Sequence, residues 1–421
     1  MLKELLHFIF EKAGQQTFLI FEKHFLKIEF LEINKLKNSE EFPFYNDNWE
    51  KRTRVKVASP GRINLIGEHT DYNGGFVLPT AIDKKIYFEL SKNGTKNSCR
   101  IYSDTFNSRF DFQLNSFQKQ EDSWKNYILG VIDEIQKITV IPQGFDCVIK
   151  SDLPIGAGIS SSAAMECGMA AGLNALFNLN LSDKQLIFLS QAAENNFVGS
   201  QCGIMDQYAS VMSKKDHLIL LDCSSLEAEY IPANFKSSKI LLVNSMISHN
   251  LADSEYNIRR KECETGLLKI QQQNPKVNSL RDVNQQILYD QKNVLSEKEY
   301  NRILYVLQEN ERVLMATSAI KDGDIQKFGK LMYQSHYGLK DLYEVSCTEL
   351  DFLVKLTERK DFVYGSRMMG GGFGGCTINI IEEDKIDGFI REVTETYNKE
   401  FQIQPDFIIV SPSEGTVVTK D

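Results

Sequence analysis

The chain has 421 residues, 42% hydrophobic and 25% charged, with a formal net charge of -9. That length accommodates two or three domains and that apolar content a full core. The acidic balance excludes the broad basic surface of a nucleic-acid-binding protein, while leaving room for a small anion at a local positive site.

No transmembrane run occurs, so no membrane partner is expected, and the apolar stretch Leu5 to Phe10 is too short for a signal peptide. Eight scattered cysteines without a C-x-x-C pair read as reduced, mostly buried thiols of a cytoplasmic protein. Residues 1–53 form an extension whose phenylalanines, Phe8 to Phe44, make it too aromatic for a solvated linker. Leu2, Leu5, Leu6 and Ile9 give it a helical stripe.

A first domain is expected over 54–235. Val55 to Val57 opens it as a strand. The stretch that follows, Ser59 to Pro79, reads SPGRINLIGEHTDYNGGFVLP. It concentrates Arg62, Glu68, His69 and Asp71 within ten residues and intersperses Gly61, Gly67, Gly74 and Gly75. Such glycines predict an irregular segment brought close to something. Two acids, a histidine and an arginine satisfy many hydroxyl groups at once, which suits a polyhydroxylated small molecule. A polar surface turn competes with this reading. So does a metal site, although Glu-His-x-Asp has no familiar metal spacing and no second histidine lies nearby.

Further strands are predicted at 85–91 and 145–151, with a helix from Trp124 to Ile135 whose buried side carries Ile128, Val131 and Ile132. Trp124 reads as a core anchor of that helix. Leu153 to Ala164 then combines Gly156, Ala157, Gly158 and Ile159 with Ser160, Ser161 and Ser162 ahead of a small-residue helix over 160–177. A glycine-rich turn at a helix N-terminus presents free N–H groups and positive potential to an anion. The serines add hydroxyls for phosphate oxygens or Mg2+. No Gly-Lys-Ser/Thr follows, so this is not a Walker A loop. A helix from Ser182 to Phe197 carries Glu194 near its end, where an acid alone reads as a solvated residue. Gly199 to Tyr208 leads into a helix over 206–212, and Asp206 alone reads as an N-cap or first-turn acid.

Strands at 216–222 and 239–245 bracket the boundary, and a second domain is expected over 236–421. Its 251–358 portion is mostly helical and contains Tyr256, followed by Arg259, Arg260 and Lys261, which read as a solvated or salt-bridged face. His336 and Glu344 read as structural. Met368 to Cys376 has five glycines in six positions, followed by a strand at 376–382, a helix at 384–399 and a strand at 406–411.

Taken together, Ser59–Pro79, Leu153–Ala164, Gly199–Tyr208 and Met368–Cys376 closely resemble, in order, four motifs of the galactokinases, members of the GHMP family of small-molecule kinases. The resemblance covers about residues 54–421. It implies a two-domain α/β (α+β) GHMP kinase fold with the active site in the interdomain cleft; pattern alone gives only a mixed α/β protein. The implied reaction is ATP-dependent phosphorylation of α-D-galactose to galactose 1-phosphate. By the same resemblance Asp206 is catalytic, accepting or orienting the anomeric proton, with Arg62 between it and the γ-phosphate. Glu68, His69, Asp71, Gly203 and Tyr256 hold the sugar with them. Trp124 lies near adenine, and Gly156, Ala157, Gly158, Ile159, Ser160, Ser161 and Ser162 bind nucleotide. Ser162 and Glu194, twelve residues before Asp206, are Mg2+ ligands. Galactose and Mg-ATP are the expected partners and a monomer the expected state. A sibling kinase for N-acetylgalactosamine, arabinose or a uronic acid is the nearest rival, and a sensor without catalysis a rival of another class. Thr70 to Asn73 favours galactose, and the undamaged run Ser160 to Ala164 together with Asp206 favours an enzyme.

Overall fold

The computed structural model describes Trp49 and residues 52–420, apart from 155 and 249–251. The helical stripe and all the phenylalanines of the expected N-terminal extension lie outside the described residues. Trp49 is buried against Ala58, Tyr87 and Val148.

Three sheets and ten α-helices make up the described chain. β1 (Val55–Asn64) is followed by β2 (Phe76–Val77) and the long β3 (Pro79–Lys92). β1 continues through Ser59–Asn64, where an irregular segment was expected. A register shift between Pro60 and Arg62 in its pairing with β3 absorbs the proline and glycine there. β4 (Ser98–Ser103), β5 (Ser108–Gln113), α1 (Ser123–Ile138) and β6 (Phe145–Ser151) come next. α2 (Ser161–Phe177) lies across β1 and β3, and its small residues are the reason it lies so close: Gly168 rests on Phe88 and Gly172 on Leu90. α3 (Asp183–Ala192) starts at a capping box of Ser182 and Gln185, then widens into a π-helical turn, Ala193–Val198, where an uninterrupted α-helix was expected. α4 (Met205–Met212), β7 (His217–Asp222) and β8 (Ala228–Pro232) complete this part, with β7 between β2 and β8 in a small sheet.

β9 (Ser238–Ser248) opens a second large sheet. Five helices follow: α5 (Ala252–Gln273), α6 (Gln285–Asp290), α7 (Glu297–Lys321), α8 (Ile325–Gly338) and α9 (Thr348–Thr357). β10 (Val363–Met368), β11 (Gly374–Glu382), α10 (Ile386–Phe401) and β12 (Asp406–Val410) finish that sheet in the order β10-β11-β9-β12, and β13 (Val417–Lys420) returns to the first. The first sheet therefore runs β13-β1-β3-β6-β4-β5, with only β4 and β6 parallel. β1, the strand that carries Arg62, is paired on both sides.

One apolar cluster joins the two large sheets: Val57, Phe88 and Phe145 belong to the same packed group as Phe328, Ile378 and Ile380. A second cluster fills the space among α5, α7 and the turn after α8, including Cys263, Ile303 and Tyr343. Where these layers meet, the Ser59–Pro79 stretch faces the glycine-rich turn between β10 and β11.

Candidate active site

A cavity of about 160 Å³ opens there. Its wall brings together Arg62, Glu68, His69, Asp71, Glu194, Asp206 and Tyr256, residues drawn from four separate stretches of sequence, with Gly370, Gly371 and Gly372. The centre is a bidentate ion pair. Arg62 Nε donates to Asp206 Oδ1 and Nη2 to Asp206 Oδ2, each at 2.7 Å, while Nη1 donates to the Gly158 carbonyl at 2.9 Å. Both planar groups are thereby held in one orientation. The Ser160 hydroxyl also donates to Asp206 Oδ2. Asp206 sits in the first turn of α4. Its geometry is not that of a capping acid, because its oxygens are taken by Arg62 and Ser160 rather than by backbone N–H groups. β1 passes this close to the serine loop only because residue 61 is glycine: a Cβ there would lie 2.8 Å from the Ile159 carbonyl and 2.6 Å from the Leu153 side chain.

Glu68 is buried, and its Oε1 accepts from the Gly370 N–H at 2.8 Å and from Arg367 Nη2 at 3.0 Å. Its Oε2 receives no hydrogen bond among the described residues and faces the cavity. Arg367, fully buried, also donates to the carbonyls of Asn64, Leu65 and Met368. His69 is buried with a left-handed φ of 60°. Burial lowers its pKa to about 3, against the Gly371 hydrogen bond and with help from the charges of Arg259 and Arg367, so the ring is neutral. Burial first, and then the neighbouring Asp206 charge, raise Asp71 to about 7. Gly203 is not in the wall of this cavity. It lines an adjoining one of about 260 Å³ that shares Asp71 and Cys202. A Cβ on Gly203 would come within 1.9 Å of Asp71 Oδ2, so glycine is what lets the 199–204 loop close over that carboxylate.

On the other side of Arg62, Ser160 at φ 56° precedes α2 and turns the chain so that the helix N-terminus opens outward. An apolar slot of about 80 Å³ leads from Ser161 and Ser162 to Trp124, Tyr127 and Phe106. Phe106 stacks on Trp124 at 5.4 Å and 16°. Trp124 is thus both a core residue and part of the slot wall. Gly158 and Gly375 lie close to the opposing glycine-rich turn and to the Ala157 backbone respectively, so the Met368–Cys376 segment walls the site beside the serine loop.

Glu194 stands in the π-helical turn, with Gln207 Nε2 donating to its Oε2 at 2.8 Å, Cys202 Sγ 3.4 Å from that oxygen and the Ser162 hydroxyl close enough to favour its ionised form. Burial, then Asp206, raise it to about 7. Two nearby oxygen donors beside the N-terminus of α2 fit Mg2+, which keeps few protein ligands and fills its shell with phosphate and water.

Some neighbours escaped the sequence. Arg367, Phe106 and Gln207 carry no local signature of their own. Arg259, expected on a solvated or salt-bridged face, is salt-bridged to Glu255 at 3.1 Å but buried rather than solvated, and donates to the carbonyls of Tyr343 and Glu344 at 2.9 Å each; Arg260 pairs with Glu264, and also donates to the Gln201 carbonyl. His336 and Glu344 are structural: His336 accepts from the Met368 N–H and Glu344 binds Arg302.

Family models match three parts of the chain: the galactokinase galactose-binding signature at residues 44–92, the GHMP kinases N terminal domain at 126–214 and the GHMP kinases C terminal domain at 316–399. The galactokinase of Thermosipho africanus is 43% identical over 87% of this chain and 100% of its own length. That of Clostridium acetobutylicum is 41% identical over 85% and 92%. The crystal structure of Lactococcus lactis galactokinase complexed with galactose superposes with a TM-score of 0.85 at 32% identity, covering 89% of this chain and 97% of that one. Methanococcus jannaschii mevalonate kinase, at TM-score 0.60 and 19% identity, shares the fold.

Proposed function

The chain belongs to the galactokinase family of the GHMP kinases, and we propose that it transfers the γ-phosphoryl group of ATP to the anomeric hydroxyl of α-D-galactose, giving galactose 1-phosphate and ADP. The observation that carries this reading is the Arg62–Asp206 pair, which stands between the serine loop and the polar cavity. Phosphoryl transfer needs the attacking and leaving oxygens aligned and the charge between them neutralised. Asp206 faces the cavity as the acceptor or orienting group for the anomeric proton. Arg62 holds it and offers positive charge to the transferring group. Glu68 through its open Oε2, Asp71, and Tyr256, whose hydroxyl has no protein partner among the described residues, take the sugar hydroxyls, with Gly203 and His69 shaping the wall. Gly156 to Ser162 and the slot at Trp124 hold the nucleotide. Ser162 and Glu194 would hold Mg2+, which supplies charge neutralisation at the phosphates. The protein functions in the cytoplasm as a monomer.

The test is ADP release with Mg-ATP against galactose, N-acetylgalactosamine, arabinose, galacturonate and glucose, with the phosphorylated oxygen located by NMR. Selective turnover of galactose at the anomeric oxygen is expected. Preference for another sugar overturns the specificity, and binding of both ligands without turnover overturns the enzyme.

A further inference from the structure

The ring of His69 has no nitrogen left for a sugar. Its Nε2 lies 3.2 Å from the Gly371 carbonyl, which only accepts, so Nε2 carries the proton. The ring is neutral, so Nδ1 is a lone pair, and the Tyr72 hydroxyl 2.7 Å away must donate to it. That spends the one proton of Tyr72. The Tyr343 hydroxyl, 2.9 Å further on, must therefore donate to Tyr72, and the Cys263 thiol, 3.1 Å from Tyr343, must donate to Tyr343. The direction of every link is fixed by a single carbonyl at the far end. Tyr343 and Cys263 are fully buried, so water does not compete for these bonds.

We propose that Tyr72 is a positioning residue of the sugar site: with Tyr343 and Cys263 behind it, it donates to the Nδ1 lone pair of the tautomer that the Gly371 carbonyl selects, and so holds the His69 ring where it keeps the glycine-rich turn against Glu68. Gly371 is the turn residue next to Gly370, whose N–H aims at Glu68 Oε1. The same pair of rings flanks Tyr256, at centroid distances of 5.2 Å for His69 and 5.5 Å for Tyr72. The chain starts on α5 of the second domain and ends at the turn between β10 and β11, passing through the Ser59–Pro79 stretch of the first. It links the halves of the cleft by hydrogen bonds rather than by apolar packing alone. The kinetic arm of the test rests on the galactose reading; the spectroscopic arm does not.

The variants are Tyr72→Phe and Tyr343→Phe in the full chain. Ring 15N shifts of histidine-labelled protein, with His69 assigned by its loss in His69→Gln, report the tautomer without substrate. Wild type is expected to show a single Nε2–H form at His69, and Tyr72→Phe the same form with its Nδ1 signal shifted by loss of the hydrogen bond. Losing one hydrogen bond of this kind is expected to raise the galactose KM about fivefold, with the ATP KM within about twofold. Tyr343→Phe keeps the Tyr72–His69 bond, so a smaller change in the same direction is expected; it carries the test if Tyr72→Phe does not fold. Unmoved His69 signals in Tyr72→Phe overturn the proposal, as does a parallel rise in both KM values in either variant. If wild type does not turn over galactose, the functional reading fails while the NMR comparison still decides the chain of hydrogen bonds.

Discussion

The two halves of the cleft are built on opposite plans. The polar cavity is assembled from residues far apart in sequence, and its acids are tethered across the molecule: Glu68 from the first domain to Arg367 and Gly370 of the second. The apolar slot comes from one continuous part of the first domain, residues 86 to 165, and is walled by aromatic and aliphatic side chains. Specificity for a molecule covered in hydroxyls needs fixed polar partners, and fixing them requires neighbours that are themselves fixed. A flat base needs only a slot of the right width. The cavity is consequently the costlier of the two to perturb.

The first way to sharpen this contrast is Arg367→Met. It removes the buried partner of Glu68 and the guanidinium donated to three carbonyls, and a loss of about 3–5 kcal/mol in denaturant unfolding is expected. A loss below about 1 kcal/mol would break the claim that the cavity is tied across domains. Asp206→Asn is expected to lower kcat about 100-fold or more while ATP affinity stays nearly unchanged, since the slot does not include it; activity within about threefold of wild type would remove Asp206 from the reaction. Phe106→Ala takes away the face stacked on Trp124. An ATP KM raised about fivefold with an unchanged galactose KM is expected, and the reverse pattern would erase the division between slot and cavity.

The smallest effect is one of pH. Asp71 titrates near 7 because burial and the Asp206 charge disfavour its ionised form. Its carboxylate is the better acceptor for sugar hydroxyls, so kcat/KM for galactose should rise through about pH 7 and then level, and Asp71→Asn should flatten that limb. The same shift acts with opposite sign on stability. Between about pH 4 and pH 7 the folded chain keeps a proton that the unfolded chain has lost, so this group's contribution declines as pH rises through that window.

The helices of the first domain and the strands β1, β3, β6 and β7 were legible because their patterns are strong, and the site motifs because each packs its chemistry into a short run; β2, β4, β5 and β8 were not read from the sequence. Arg62, Asp206 and Glu194 do converge on one cavity, while Ser162 lines the adjoining slot. What stayed hidden depends on distance. Nothing around Arg367 announces that carbonyls of Asn64 and Leu65, some 300 residues away, will complete its shell. Arg259 looks like its neighbours Arg260 and Lys261 until the turn after α8 folds over it. Ser59–Asn64 resists reading as strand because proline and glycine are poor strand residues, and only the pairing partner supplies the register shift that accommodates them. The π-helical turn that presents Glu194 is invisible for a similar reason, since an extra residue in a helical turn leaves the apolar spacing nearly intact.

β13 gives the order of synthesis a role in how this protein matures. The strand bearing Arg62 has β3 on one flank and residues 417–420 on the other. A nascent chain that already contains every motif of the active site still exposes one unpaired edge of that strand until β13 emerges from the ribosome. The first domain is thus closed only after the second has been made, and its half-made form offers a sheet edge of the kind that a chaperone or another nascent chain is able to engage.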